Sequence, residues 1–312
     1  MSDLLETIPW ARRLKIRHLE VFLALDETGS MTAAAGQLHM TQPALSHWLA
    51  DLEEAIGQPL FVRGRRLSLT PDGEVLRAHA SRMLGDVRRT HADFLALHAG
   101  LQGRLRVGTG LPRVLLPRAI ARLQQKQPGI FVSVVEASLS ELLEQLARRE
   151  IDLIIGALSA QALASGFATA PLRADSLQVV ARSGHALLGP AGASWASMDR
   201  HPWLLPPAGS VMRAAFDEAF AMQKQRPPVP CVEAGSSIRV QLLLEERDYL
   251  TILSAAELQL YRPLGLIQRV PLSPAIPSPD IGAIWEPALG SRLVAHFVEA
   301  LRSESLDLGG AD

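Results

Sequence analysis

Two groups of side chains in this 312-residue sequence have the types and spacing to do chemistry. The first is Thr41, Gln42, Pro43, Ser46 and His47, followed by Arg63, Arg65 and Arg66. Gln42 and Ser46 stand one helical turn apart with His47 beside them, which gathers short hydrogen-bonding side chains on one face, as reading of base edges in a major groove requires. The three arginines suit phosphate contact or insertion into a narrow minor groove, although taken alone they also read as a solvated basic turn. The second group is scattered: Thr109, Gly110, Arg113, Ser138, Ser140, Gly209, Ser210, Ser236 and Ser237. Each stands where a strand gives way to a helix, so that hydroxyls and free backbone N–H groups could receive a carboxylate or a polyol. Each hydroxyl is equally readable as a helix cap.

The elements that must position the first group are legible in the pattern. Ala33, Ala34 and Ala35 give a short helix small side chains for close approach by another helix, Leu38 is its expected buried anchor, and His39-Met40 form the turn. Thr41 is an N-cap, Pro43 fits a first turn, and Leu45, Trp48, Leu49, Leu52 and Ile56 recur at helical spacing until Gly57 and Pro59 stop the helix. Leu60 to Arg63 and Arg66 to Leu69 then read as two short strands around a Gly64-Arg65 turn, so the expectation is a winged helix-turn-helix. From Pro71 to His98, Leu76, Ala80, Met83, Val87, Thr90, Phe94 and Leu97 step by three or four along a helix of roughly 40 Å. A stripe of that length needs a partner helix, and a two-fold dimer would set two reading helices on the half-sites of a dyad.

These residues carry a family resemblance. Ala34-Ala35, Thr41 to Ser46 (T-Q-P-A-L-S), Leu52-Glu53, Gly57 to Phe61 and Thr70 to Glu74 (T-P-D-G-E) resemble, in register, the signature of the LysR-type transcriptional regulators. His47 and Trp48 depart from the basic and polar residues common in relatives at those places. The resemblance implies a DNA-binding protein that recognises a dyad operator in double-stranded DNA, a dimer through the linker helix that can pair into a tetramer, and RNA polymerase as a further partner.

After a hinge at Ala99 to Gly103 the pattern changes to β-α-β-α-β: strands at Leu105–Val107, Phe131–Val135 and Ile151–Ile155, helices at Leu115–Gln125 and Leu139–Arg148, with Ser138 and Glu141 as a capping box. A second set follows Pro171: strands near Leu177–Ala181, Val229–Glu233 and Tyr249–Leu253, helices at Val211–Met222 and Ile238–Glu245, a return through Leu266–Val270 and Ile281–Trp285, and a last helix at Ser291–Leu301. Arg104 to Gly108, Leu115 to Pro117 and Leu142-Leu143 through Asp152-Leu153 resemble the effector domain of the same family, which shares its architecture with periplasmic binding proteins. The expected fold is therefore α/β overall: a winged helix-turn-helix over residues 1–70, a linker helix and hinge over 71–100, and a two-lobed, Rossmann-like effector domain over 101–312. Lobe I is expected at about 103–165 and 267–305, and lobe II at about 166–266. In such folds a small ligand binds at the carboxyl ends of the strands, between lobes, and an anionic or polar metabolite would suit the second group of residues.

Composition narrows the classes further. The chain is 48% hydrophobic, carries a net charge of −1, and has no apolar run near the ~20 residues of a membrane span. Its first thirty residues hold Asp3, Glu6, Glu20, Asp26 and Glu27 in place of a signal peptide's apolar block, so a cytoplasmic protein with no membrane partner is expected. One cysteine, Cys231, excludes an intramolecular disulfide and a cysteine metal cluster. Val107 to Arg113 opens like a dinucleotide loop, but Arg113 replaces the third glycine. With no nucleophile elbow, zinc-protease pair or phosphate loop, neither catalysis nor a cofactor is expected. The competing reading is a cytoplasmic small-molecule-binding protein or enzyme whose N-terminal domain serves protein contacts.

Overall fold

The computed structural model describes residues 9–62, 64, 66–110, 115–189, 193–245, 248–287 and 292–309. Arg63, Arg65, Arg113 and Ser291 lie outside the described residues. The chain divides into two compact units, Met1–Ala99 with Ala147–Glu150, and Gly100–Leu146 with Ile151–Asp312.

The first unit is built from α1 (Ile16–Thr28), α2 (Met31–Gln37), α3 (Gln42–Ile56), a hairpin of β1 (Phe61–Val62) and β2 (Ser68–Leu69), and α4 (Pro71–His98). Its core joins Phe22, Leu25, Ala34, Ala35, Leu45, Leu49, Leu52 and Phe61. Ala34 and Ala35 are buried, as close helix approach demands, but Ala33 faces solvent and Leu38 is half-buried, because the seven-residue α2 turns only two successive positions inward. The turn holds by Leu38 and Met40 N–H groups donating to Ala34 O and Ala35 O, with His39 in the left-handed region at φ 52°. Gly57 ends α3 at φ 81°, where a side chain would be strained. Among the described residues the hairpin pairs Phe61↔Leu69 and Val62↔Ser68, with Leu60, Arg66 and Leu67 outside the strands the sequence suggests. Helix α4 starts on the Thr70 hydroxyl, which accepts Gly73 N–H at 3.0 Å, and covers the expected span. Its stripe splits in two. Leu76 and Ala80 are buried in this unit's own core, so that part of the stripe needs no partner helix, contrary to expectation, while Met83, Val87, Phe94 and Leu97 are exposed.

The second unit opens with β3 (Gly103–Thr109), α5 (Leu115–Lys126), β4 (Ile130–Glu136), α6 (Leu139–Ala147), β5 (Leu153–Ala157), α7 (Ala160–Leu163) and β6 (Ala168–Arg173). Next come β7 (Ser176–Arg182), β8 (Trp203–Leu205), α8 (Val211–Met222), β9 (Val232–Glu233), α9 (Ser236–Glu245), β10 (Leu250–Ser254) and α10 (Ala255–Tyr261). The chain ends through β11 (Ile267–Arg269), β12 (Ile276–Pro277), β13 (Ile281–Trp285) and α11 (Arg292–Gly309). One sheet runs β4-β3-β5-β13-β6 and the other β11-β7-β10-β8-β9, with β12 also on β7. Strands β5 and β10 are buried throughout, as strands covered on both faces should be.

Several expectations need correction. Strand β6 pairs with β13 and so belongs to the first sheet, while β11 and β12 pair with β7 in the second. The lobes therefore exchange chain at 174–175 and 278–280, not near 165 and 266, because the antiparallel β13 recruits β6 to its free edge. Val229–Glu233 shrinks to two residues, since prolines at 227, 228 and 230 cannot donate to a ladder and leave Val229 exposed. Helix α11 runs on to Gly309, its inner face continuing through Leu301 and Ser305.

The first lobe is pinned by Asp152, which is 2% exposed. Its carboxylate accepts Arg106 N–H at 2.7 Å and the Arg106 guanidinium at 3.4 Å, while its own N–H donates to Arg106 O at 2.8 Å. Asp152→Ala leaves buried donors unmatched and should cost about 3 kcal/mol in urea denaturation, whereas Asp152→Asn should cost clearly less. Equal losses for the two would show that the pair is not what holds β3 to this turn.

Candidate functional site

At the start of α3, Thr41 Oγ1 accepts Ala44 N–H at 3.4 Å and caps the helix. Thr41, Gln42, Pro43, Ser46 and His47 are all exposed, while Leu45, Leu49 and Leu52 fill the core behind them. Burial of one face thus fixes the presentation of the other. His47 Nε2 stands 3.5 Å from Asp51 Oδ2, one turn along. Arg66 is exposed and lies across Gly29, where a Cβ would come within 2.2 Å of its Nε, so any side chain at Gly29 would displace this arginine.

Sequence reasoning missed a cluster beneath this surface. Trp48 is half-buried, with the Lys15 ammonium 5.3 Å from its ring centroid and the His18 ring edge-on at 4.9 Å. His18 Nδ1 accepts Lys15 N–H at 3.1 Å, and its buried Nε2 has no hydrogen-bond partner among the described residues. Burial lowers the His18 pKa, the Lys15 charge lowers it further, and Asp51 opposes both. The signal was a basic residue, a histidine and a tryptophan at positions that two packed helices bring together, which only the tertiary contact reveals.

The second group converges. Thr109, Gly110, Ser138, Ser140, Gly209, Ser210, Ser236 and Ser237 all line one cavity of about 370 Å³. It sits where β3, β4, β5, β8, β9 and β10 end, with residues from both sheets in its walls, as the carboxyl-end rule for such folds requires. Arg113, the remaining member, lies outside the described residues. Most of these hydroxyls are already engaged. Thr109 Oγ1 donates to Ile155 O at 3.0 Å, Ser138 Oγ donates to Glu141 Oε2 at 2.7 Å, and Ser210 Oγ donates to Pro207 O at 2.8 Å while accepting Arg213 N–H. Ser140 Oγ accepts from Gln161 Nε2 at 3.1 Å. The Ser138 hydrogen bonds hold the Glu141 carboxyl below its ordinary range. Arg239, Glu257 and Ser254 also line the cavity and were not anticipated. Arg239 could have been noticed as a cation on an apolar stripe, since Ser236, Val240 and Leu243 share its side of α9. Among the described residues no three His, Cys, Asp or Glu side chains converge as metal ligands would, and no helix is long and apolar enough to cross a membrane.

An exposed polar reading end on a buried helix, joined in one chain to a two-lobed unit with a cavity between its sheets, defines a class: helix-turn-helix DNA-binding proteins that carry a ligand-binding domain. Residues 16–74 match the bacterial regulatory helix-turn-helix protein, lysR family, and residues 98–305 match the LysR substrate binding domain. The HTH-type transcriptional regulator GbpR of Azospirillum brasilense is 32% identical over 279 residues, covering 88% of this chain and 81% of that protein. GalR of Pseudomonas putida, another HTH-type transcriptional regulator, is 34% identical over 82% of this chain and 65% of its own length. Among solved structures, CbnR, a LysR family transcriptional regulator, superposes with a TM-score of 0.62 at 21% identity over 94% of this chain and 99% of its own. Full-length CbnR complexed with its target DNA superposes at 0.60 and 20% identity, over 93% and 100%. The chain belongs to the LysR family: it is a LysR-type, DNA-binding transcriptional regulator with an effector-binding domain.

The pH response of the first unit follows from His18. Folding lowers its pKa, so the unfolded chain takes up the extra proton; stability is intact above the ordinary value of 6.5 and falls as pH drops through it. The thermal midpoint should fall between pH 7.5 and pH 5, and His18→Gln should flatten that slope. A slope unchanged by the substitution would assign the effect to other groups.

Proposed function

We propose that the protein acts in the cytoplasm as a homodimer or homotetramer that reads a dyad operator in double-stranded DNA, without catalysing a reaction. Thr41, Gln42, Pro43, Ser46 and His47 would face the major groove, with base contacts from Gln42, Pro43, Ser46 and His47. Arg63, Arg65 and Arg66 of the wing would meet phosphates. The observation that carries this reading is the outward-facing polar end of α3, held in place by the buried face behind it. The exposed Met83, Val87, Phe94 and Leu97 of α4 support pairing of two copies through that helix.

In this reading a small anionic or polar effector occupies the cavity between the lobes and acts by its differential affinity for two lobe arrangements. The linker helices carry that bias to the spacing or bend of DNA-bound dimers, with RNA polymerase as a further partner. The alternative, a binding protein or enzyme whose N-terminal domain serves only protein contacts, gives no reason for this exposed cluster of polar side chains at the helix end. Selection of random duplex DNA by the purified protein at near-physiological salt separates the two: an interrupted dyad supports the regulator, and weak, salt-sensitive binding without enrichment supports the alternative.

Gln42→Ala should lower discrimination between the selected operator and random DNA by about tenfold, the lower end of what one base contact is worth. Arg66→Ala should weaken binding to both and reduce the salt slope by about one. An equal loss on both sequences for Gln42→Ala would remove Gln42 from the readout. Phe94→Glu should shift the protein toward monomer in light scattering and weaken binding to the full dyad while sparing a half-site; an unchanged mass would place the dimer contact elsewhere.

A further inference from the structure

Arg239 is the most completely buried cation among the described residues, at 1% exposure, and it lines the cavity from the second lobe. Its Nε donates to Ala234 O at 3.0 Å, and its Nη1 donates to Thr251 Oγ1 at 2.6 Å and to Ile252 O at 2.7 Å. Thr251 Oγ1 in turn donates to Leu204 O at 2.7 Å. All three acceptors are uncharged, so they fix the guanidinium without neutralising it. Three of its five N–H donors are thereby used, and Nη2, with the remaining two, has no hydrogen-bond partner among the described residues. Glu257 acts on the guanidinium through space, offsetting in part the burial that brings its pKa down to about 10, so the group stays cationic at neutral pH.

We infer that Arg239 is the specificity-determining residue of the cavity, and that the effector is a small organic acid whose carboxylate is received by Arg239 Nη2. This rests on the reading of the cavity as the effector site. A hydroxyl would satisfy Nη2 only as a neutral hydrogen-bond acceptor, whereas a carboxylate makes a charge-assisted bond roughly twice as strong. One carboxylate oxygen meets Nη2. The other faces the start of α9, where Ser236 lines the same cavity three residues before Arg239 and the helix dipole favours negative charge. The rest of the ligand meets apolar walls from Leu139, Ile154, Pro206 and Met212. A cavity of 370 Å³ equals roughly a dozen water volumes, which suits an acid of about ten to fifteen non-hydrogen atoms. The guanidinium is held rigidly before the ligand arrives, so little ordering remains to be done on binding.

The test uses the full-length protein and matched probes: benzoate, phenylacetate, succinate and adipate, their primary amides, and galactose and inositol as polyols. Thermal midpoints are read at 10 mM probe, and calorimetry gives affinities for those that shift it. At least one acid should raise the midpoint and bind at least tenfold tighter than its amide, and Arg239→Gln should cost that acid at least tenfold. If Arg239→Gln does not fold, the comparison of acid with amide in the unaltered protein decides. Equal binding of acid and amide, or binding of a polyol that survives Arg239→Gln, overturns the carboxylate assignment while leaving the cavity as the effector site. No shift by any acid also overturns it, and recovery of an operator by the same preparation shows that the regulator reading stands apart from that failure.

Discussion

Strand β13 lies between β5 and β6, antiparallel to both, and the chain reaches it only after traversing the whole second lobe. Ile281 to Ile284 are buried, with Ala283 opposite Ile155 on one side and Ala170 on the other. Without this strand β5 would present a bare apolar edge and β6 would have nothing to pair with, so the first lobe is completed by a strand that follows the whole second lobe in the chain. Such long-range pairing incurs loop-closure entropy early and is characteristically slow to form. Gly282 marks how tightly β13 is inserted: a Cβ there would lie 2.6 Å from Leu158 side-chain atoms and 2.7 Å from Ala170 O. The same insertion brings the two crossings, 174–175 and 278–280, to neighbouring strands of one sheet. Two short segments side by side are the geometry in which lobes turn about a hinge.

The first crossing is tied to the wall of the cavity. Asp175 lies in that crossing near the backbone N–H groups of Ser176, Ala255 and Ala256 at the start of α10, and its Oδ1 has no hydrogen-bond partner among the described residues. Burial pushes its carboxyl upward in pKa and the neighbouring N–H groups pull it back. The next residues of α10 include Glu257, which lines the cavity and lends its charge to Arg239. One short helix therefore contacts both the crossing and the cavity. Under the proposed function, a ligand held at Arg239 and a rotation about the crossing at Asp175 would both act beside this one element.

How much of this was legible in the sequence depended on whether local spacing or distant pairing decided it. Helix α4 and strand β13 matched their expected spans because capping by Thr70 and an uninterrupted buried run set their limits. The reading face of α3 was legible for the same reason, since its apolar positions alone determine which residues point outward. The helix N-termini around the cavity were legible from their serines. The lobe boundaries were not: whether residues 168–173 pair with the first sheet or the second depends on where β13 arrives, a contact more than a hundred residues away. Arg239 shares the buried side of α9 with Val240 and Leu243, a position legible from spacing, but what holds the cation there, Thr251 and the β10 carbonyl, comes only from distant pairing.

Capping and ligand contact compete for the same atoms around the cavity. Ser138 and Ser210 spend their hydroxyls on Glu141, Arg213 and Pro207, and Thr109 spends its own on Ile155 O. These residues shape the cavity and position helix ends there, but they have little hydrogen-bonding capacity left with which to choose a ligand. Selectivity then falls to the few groups whose capacity is not consumed by the fold, and a cation held by uncharged acceptors is the strongest of them. At the other end of the chain Thr41 also caps a helix, and its neighbours Gln42 and Ser46 are left exposed by it. Under the proposed function the cap in each unit fixes the backbone and a different side chain makes the distinction, so a site forecast from caps alone would find the place and miss the residue that discriminates.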